Sequence, residues 1–175
     1  MGTHDEPDDD YRGVTDLLER PPESINWNVL GSEDADREWH DLDAWVTWLK
    51  VTYGLPPSIV PPYWHRHDEL VWELSALHTH WLSCYHESAS PSAPIAWMRD
   101  FADARHRLRD WVAICGTRLD RDRPTRQTIW PGEKAAELGG EISIADRRQD
   151  FEEVVRADVL RRKTAENVAK RALLA

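Results

Sequence analysis

Apolar residues return at steps of four and three through Ala35, Trp39, Leu42, Val46, Leu49 and Tyr53, the spacing of one helical face. Ser32 stands ahead of them as an N-cap, Glu33, Asp34 and Asp36 complement the positive end of the dipole, and Gly54 with Pro56 and Pro57 closes the run. A helix over residues 32–53 follows. A second stripe, Leu70, Leu74, Leu77, Trp81 and Cys84, predicts a helix over 68–85. The third, with Pro94 at its first position, carries Trp97, Phe101, Ala104, Leu108, Trp111, Val112 and Cys115 over 94–115 before Gly116. Trp48 and Trp72 fall off the stripes of their helices, so each needs another element, or a partner, to cover it.

The remaining segments are weaker. Ile25, Trp27 and Val29 alternate with polar residues, as in an extended tether laid on one surface. Leu55 to Pro62 carries four prolines and should be a stiff, extended link. Thr117 to Gly132 has no period, and Glu133 to Leu138 suits a short helical turn. From about Ile144 a thin stripe of Ile144, Phe151, Val155 and Val159 continues through Ala165, Ala169 and Leu173, too weakly apolar in its last half for a core. The expected fold is therefore all-α: a small bundle of three main helices with a long C-terminal helical arm. Residues 1–23 form a disordered acidic tail, 24–140 the Trp-rich helical domain, and 141–175 the C-terminal helix.

Composition sharpens this picture. With 175 residues, 41% of them hydrophobic and ten Trp, the chain can bury one sizeable core. Its net charge of −10 disfavours bulk attraction to nucleic acid or anionic lipid, and residues 1–23 hold eight of the acids against two bases. No stretch is long and apolar enough for a membrane span. Cys84 and Cys115 sit in apolar helical runs, which suits a reducing, cytoplasmic setting.

Candidate chemistry rests on ionisable residues, because no Gly-rich phosphate loop, nucleophile elbow or paired CxxC is present. His65 and His67, with Glu69 and Asp100, are the one set that could hold a metal, whereas His78 and His80 point about 200° apart on a helix. Arg99 with Asp103, Asp103 with Arg107 and His106 with Asp110 have the i,i+4 spacing of a laced, solvated face. Arg118, Arg121, Arg123 and Arg126, followed by Trp130, have the composition of a single-strand track, but the acids between them favour a locally paired loop. Cys115 ends a helix, where a thiolate is disfavoured, so no catalytic residue is named.

Three runs in order carry a resemblance: Tyr63-Trp64-His65-Arg66-His67-Asp68-Glu69, then Leu74-Ser75-Ala76-Leu77-His78-Thr79-His80-Trp81, then Trp97-Met98-Arg99-Asp100 with Asp103. Over roughly residues 60–115 the chain resembles an actinobacterial domain family of unknown function, found on plasmids, integrative conjugative elements and phages. The chain departs from that pattern at Asp68, His78 and Phe101, where the family has Pro, Trp and often His. The resemblance implies a mobile-element accessory protein and carries no activity or cofactor with it.

Two function classes follow. The first is association with a partner protein through exposed tryptophans, Trp48, Trp64, Trp72 and Trp130, since Trp concentrates binding energy at interfaces. The second is a metal-dependent nucleic-acid enzyme or binder using His65, His67, Glu69 and Asp100 with the arginine loop.

Overall fold

The computed structural model describes residues 22–134 and 139–174. The expected tail over residues 1–21 and most of the helical turn expected at 133–138 lie outside them. Among the described residues there are four α-helices: α1 (Ser32–Tyr53), α2 (Asp68–Cys84), α3 (Ala93–Ile114) and α4 (Arg147–Leu173). Two short strands, β1 (Arg121–Asp122) and β2 (Ile142–Ser143), pair antiparallel with Arg121 opposite Ser143 and Asp122 opposite Ile142. The fold is all-α, as the periodicities predict, and among the described residues no helix is long and apolar enough to cross a membrane.

α1 starts one residue earlier than its capping pattern suggests. Gly31 is the N-cap, and Ser32 gives both its amide (2.5 Å) and its hydroxyl (2.9 Å) to Glu166 of α4. A carboxylate at a helix N-terminus does the work of a local cap and also meets the dipole. At the other end Gly54 takes the left-handed conformation, φ 59°, and returns its amide to Lys50.

The proline link does not stay extended. The amides of Ile59 and Val60 turn back to Pro56 O, and Ile59, Val60, Pro61 and Tyr63 are buried. A single 3-10 turn, Trp64–Arg66, then sets Trp64 in the centre of the molecule. Four prolines fix φ without dictating direction, and burial of Ile59 and Val60 decides it. Residues 24–31 likewise turn at Asn26–Val29, which buries Trp27 against Trp39 at 4.6 Å and leaves Val29 exposed.

α2 and α3 form an antiparallel hairpin, tied across its outer face by Arg107 to Glu73 at 2.7 Å and His80 to Asp100 at 3.1 Å. The expected i,i+4 lacing of α3 is replaced by these interhelical pairs and by Arg99 on the adjacent Asp100. α4 is capped by Asp146, whose carboxylate accepts from the amides of Arg148 and Gln149. It runs antiparallel to α1, meeting it in turn through Arg147 with Asp43, Asp158 with Trp39 Nε1 (3.0 Å) and Glu166 with Ser32. Phe151 and Val155 are therefore core residues, and only the turns beyond Glu166 project as an arm. One core holds Trp39, Leu42, Leu49, Trp64, Leu74, Trp97, Phe101, Leu108 and Phe151, each contributing about 1.5–3 kcal/mol by burial. Trp81, on the apolar stripe of α2, sits only partly buried against it.

Candidate functional site

Where α1 ends, its off-stripe residues meet the far end of the α2–α3 hairpin. Trp45 is buried there, stacked on His78 at 4.9 Å and edge-on to Trp97 at 6.3 Å. Trp48, one turn on, packs against Trp81 at 5.0 Å and meets Tyr53 edge-on at 6.1 Å. Trp81 passes the contact to Tyr85 at 5.5 Å, and the Tyr53 hydroxyl lies 4.0 Å from Met98 Sδ and accepts from Trp97 Nε1. The result is an unbroken row, Tyr85, Trp81, Trp48, Tyr53 and Met98, in which Trp48 and Tyr85 are each 39% exposed and Met98 48%. Ring centroids 5–6 Å apart leave no room for a group to enter between them, so the row is a platform rather than a cage.

The other tryptophans expected at the surface divide. Trp72 is 38% exposed and Trp130 63%, away from the row. Trp64 is completely buried, with Phe151 and Trp39 rings within 6.4 Å, and cannot serve as a surface anchor. The 3-10 turn points it inward, and its neighbours Tyr63 and His65 are buried with it.

His65 and His67 do not converge on a common point. His65 Nε2 donates to Asp150 at 2.8 Å, and Arg66 makes a two-pronged pair with the same carboxylate. Burial pushes the His65 ring below its usual value against the pull of Asp150, so a neutral ring faces a carboxylate. Burial alone would push the Asp150 carboxyl up, yet the bonds from Arg66 and His65 hold it below the usual range. Alongside, Arg147 reaches Asp43 and Pro62 O and lies over the Phe151 ring at 5.6 Å. The two pairs fasten α4 to the 3-10 turn and to α1.

His67 is held separately. Its Nε2 meets Asp122 at 2.8 Å, its Nδ1 meets the Thr125 hydroxyl at 2.8 Å, and that hydroxyl donates to Glu69 at 2.5 Å. Thr125, His67 and Asp122 have the order of a nucleophilic relay, but the proton directions are wrong for one. With the Thr125 hydrogen given to Glu69, the hydroxyl has none to pass to His67, so the three side chains do not form such a relay. The arrangement instead ties the irregular 117–130 segment to the start of α2. Cys84 Sγ lies 3.8 and 3.7 Å from the two nitrogens of His80, beside the ring rather than in line with either, and burial pushes its thiol up.

Asp100 pairs with Arg99 and His80, and His80 stands about 20 Å along α2 from His67. The set His65, His67, Glu69 and Asp100 is thus dispersed, and among the described residues no three His, Cys, Asp or Glu side chains come together as a metal site requires. The four arginines are dispersed too. Arg118 donates to Thr117 O, Arg121 pairs with Asp120 and Glu141, and the Arg123 stem lies so close to Gly116 that a Cβ there would sit 1.8 Å from it. Arg123 and Arg126 make no ion pair among the described residues.

Sequence reasoning missed Asp43, Asp122, Asp150, Asp158 and Glu166, which do most of the fastening. Asp122 and Asp150 are nearly as buried as the core, and the pairing of either could have been sought in the buried histidines. Compared with known protein families, curated proteins and solved structures, the chain matches none of them.

Proposed function

We propose that the protein is a cytoplasmic accessory protein, of the mobile-element kind that its Tyr63–Asp103 motifs resemble, which acts by binding another protein through the Tyr85, Trp81, Trp48, Tyr53 and Met98 row. The observation that carries this reading is the continuity of that row at the surface. Half-exposed Trp and Tyr side chains already fixed by their neighbours lose little conformational freedom on binding, and such residues dominate interface energies. Both cysteines are free and buried, which fits a reducing compartment. The competing reading, metal-dependent work on nucleic acid, finds less support in four dispersed ligands and an arginine loop in which Arg121 is paired with Asp120 and Glu141.

The test compares wild type and Trp48→Ala as baits in extract of the native host. A protein retained by the first and not the second is purified and titrated against both by calorimetry, with an expected loss of at least about 2 kcal/mol for the variant. Trp72→Ala, altered on the opposite side of α2, should bind as wild type does. Equal retention by Trp48→Ala and wild type would reject the aromatic row as the binding surface.

A further inference from the structure

The last contact between α1 and α4 is Glu166 on Ser32, yet α4 continues to Leu173, about 10 Å further. Every residue from Asn167 to Leu174 is exposed. The helix nevertheless keeps its apolar face: Ala169 and Leu173 stand five turns beyond Phe151 and Val155, in line with them, with Val168 and Ala172 on one flank. Lys163 and Lys170, seven residues apart, line the other flank. From Arg161 to Arg171 the helix has five bases and one acid. Arg161 and Arg162 are spent on Asp158, while Lys163, Lys170 and Arg171 have no ion pair among the described residues.

We propose that this projecting end of α4 is the docking site for the acidic stretch Asp8–Glu19 of the same chain. Charge supports it, since residues 1–23 carry eight acids and two bases. Apolar content supports it as well: Tyr11, Val14 and Leu18 recur at three and four, enough to cover Ala169 and Leu173. The place where the described chain begins is also right. Pro22 precedes Trp27, packed on Trp39, and Leu30, whose carbonyl accepts from Arg162 at 2.8 Å, so the first described stretch of chain lies beside α4. From the level of Asp158 to Leu173 is about 22 Å along the helix, a span that about seven extended residues cover. Read without α4, the tail offers nothing to offset the entropy of ordering; an apolar, cationic helix end within reach changes that balance.

The test is zero-length carbodiimide cross-linking of the full chain, read by peptide mass spectrometry. The chain has four lysines, Lys50, Lys134, Lys163 and Lys170, and residues 1–23 contain none of them. The proposal expects amide cross-links from residues 8–19 to Lys163 and Lys170 within one copy, with those to Lys50 and Lys134 several-fold fewer. They should fall several-fold in about 1 M salt, where the Debye length is about 3 Å. They should fall likewise in the double variant Val168→Gln and Leu173→Gln, which keeps every lysine and adds no carboxylate. Cross-links spread over all four lysines, an unchanged yield in that variant, or products joining two copies would each overturn the assignment.

Discussion

His78 offers a quantitative test of the core. Its ring is 4% exposed, stacked on Trp45 with planes 25° apart, and its Nε2 is buried without a hydrogen-bond partner among the described residues. Burial alone lowers its pKa from 6.5 to about 4. Between those two values the unfolded chain takes up a proton that the folded chain refuses. Stability must therefore fall as the pH is lowered through that window, and level off below about 4 as far as this residue is concerned. At about 1.36 kcal/mol per pH unit the loss reaches about 2.5 kcal/mol at pH 4.5 and about 3 kcal/mol at pH 4, a large share of the ~5–15 kcal/mol of an ordinary domain. The assay is urea denaturation of wild type and His78→Leu from pH 7 downward. His65, lowered in the same sense, His40, raised, and Asp150, lowered, titrate in both proteins, so the difference between the curves isolates His78. The variant should be flatter by about 2.5 kcal/mol between pH 7 and 4.5, and the His78 ring proton resonance should stay at its neutral position until pH nears 4. Parallel curves would show that the ring is reached by water or hydrogen-bonded in solution, and the packing around Trp45 would need revision.

Asp150→Asn should destabilise the fold by about 3 kcal/mol in the same assay, because it leaves Arg66 and His65 facing an amide, while Arg66→Met with Asp150→Leu should recover part of that loss. Phe101→Ala should cost about 3–5 kcal/mol, and Trp81→Ala, whose side chain is only partly buried, distinctly less; equal losses would place Trp81 back in the core. Asp122→Asn should speed tryptic cleavage at Arg118–Arg126 while leaving cleavage in α4 unchanged, since His67 holds that segment through Asp122 and Thr125. Glu166→Gln should accelerate hydrogen exchange at the amide of Ser32, with no change at Leu49 near the other end of α1.

The main helices were legible because their stripes are dense: each step from Ala35 to Tyr53 places an apolar side chain on one line, and Gly54 stops it. What the stripes do not encode is which distant carboxylate meets which cation. Asp150 reads as one acid among many in α4, yet the 3-10 turn brings His65 and Arg66 to it from 85 and 84 residues away. Trp64 reads as a surface anchor on residue type alone, whereas the 3-10 turn buries it together with Tyr63 and His65. Trp48 was read correctly as off-stripe, but that it joins Trp81, Tyr85 and Tyr53 in a row depends on how the hairpin crosses α1, which no local pattern specifies.

The pairing of the first helix with the last sets the order in which this chain can fold. The α2–α3 hairpin closes contacts 20 to 34 residues apart, whereas the pairing of α1 with α4 joins residues 104 to 134 apart. Closing the longer loops carries the larger entropic penalty, and during synthesis it cannot begin until α4 exists. At roughly 5–20 residues per second the wait is on the order of ten seconds, during which Trp39 has neither Phe151 nor Asp158 against it. That interval is when a nascent chain is most open to capture by a chaperone or by another copy, and a pause in translation just before Asp146 would lengthen it.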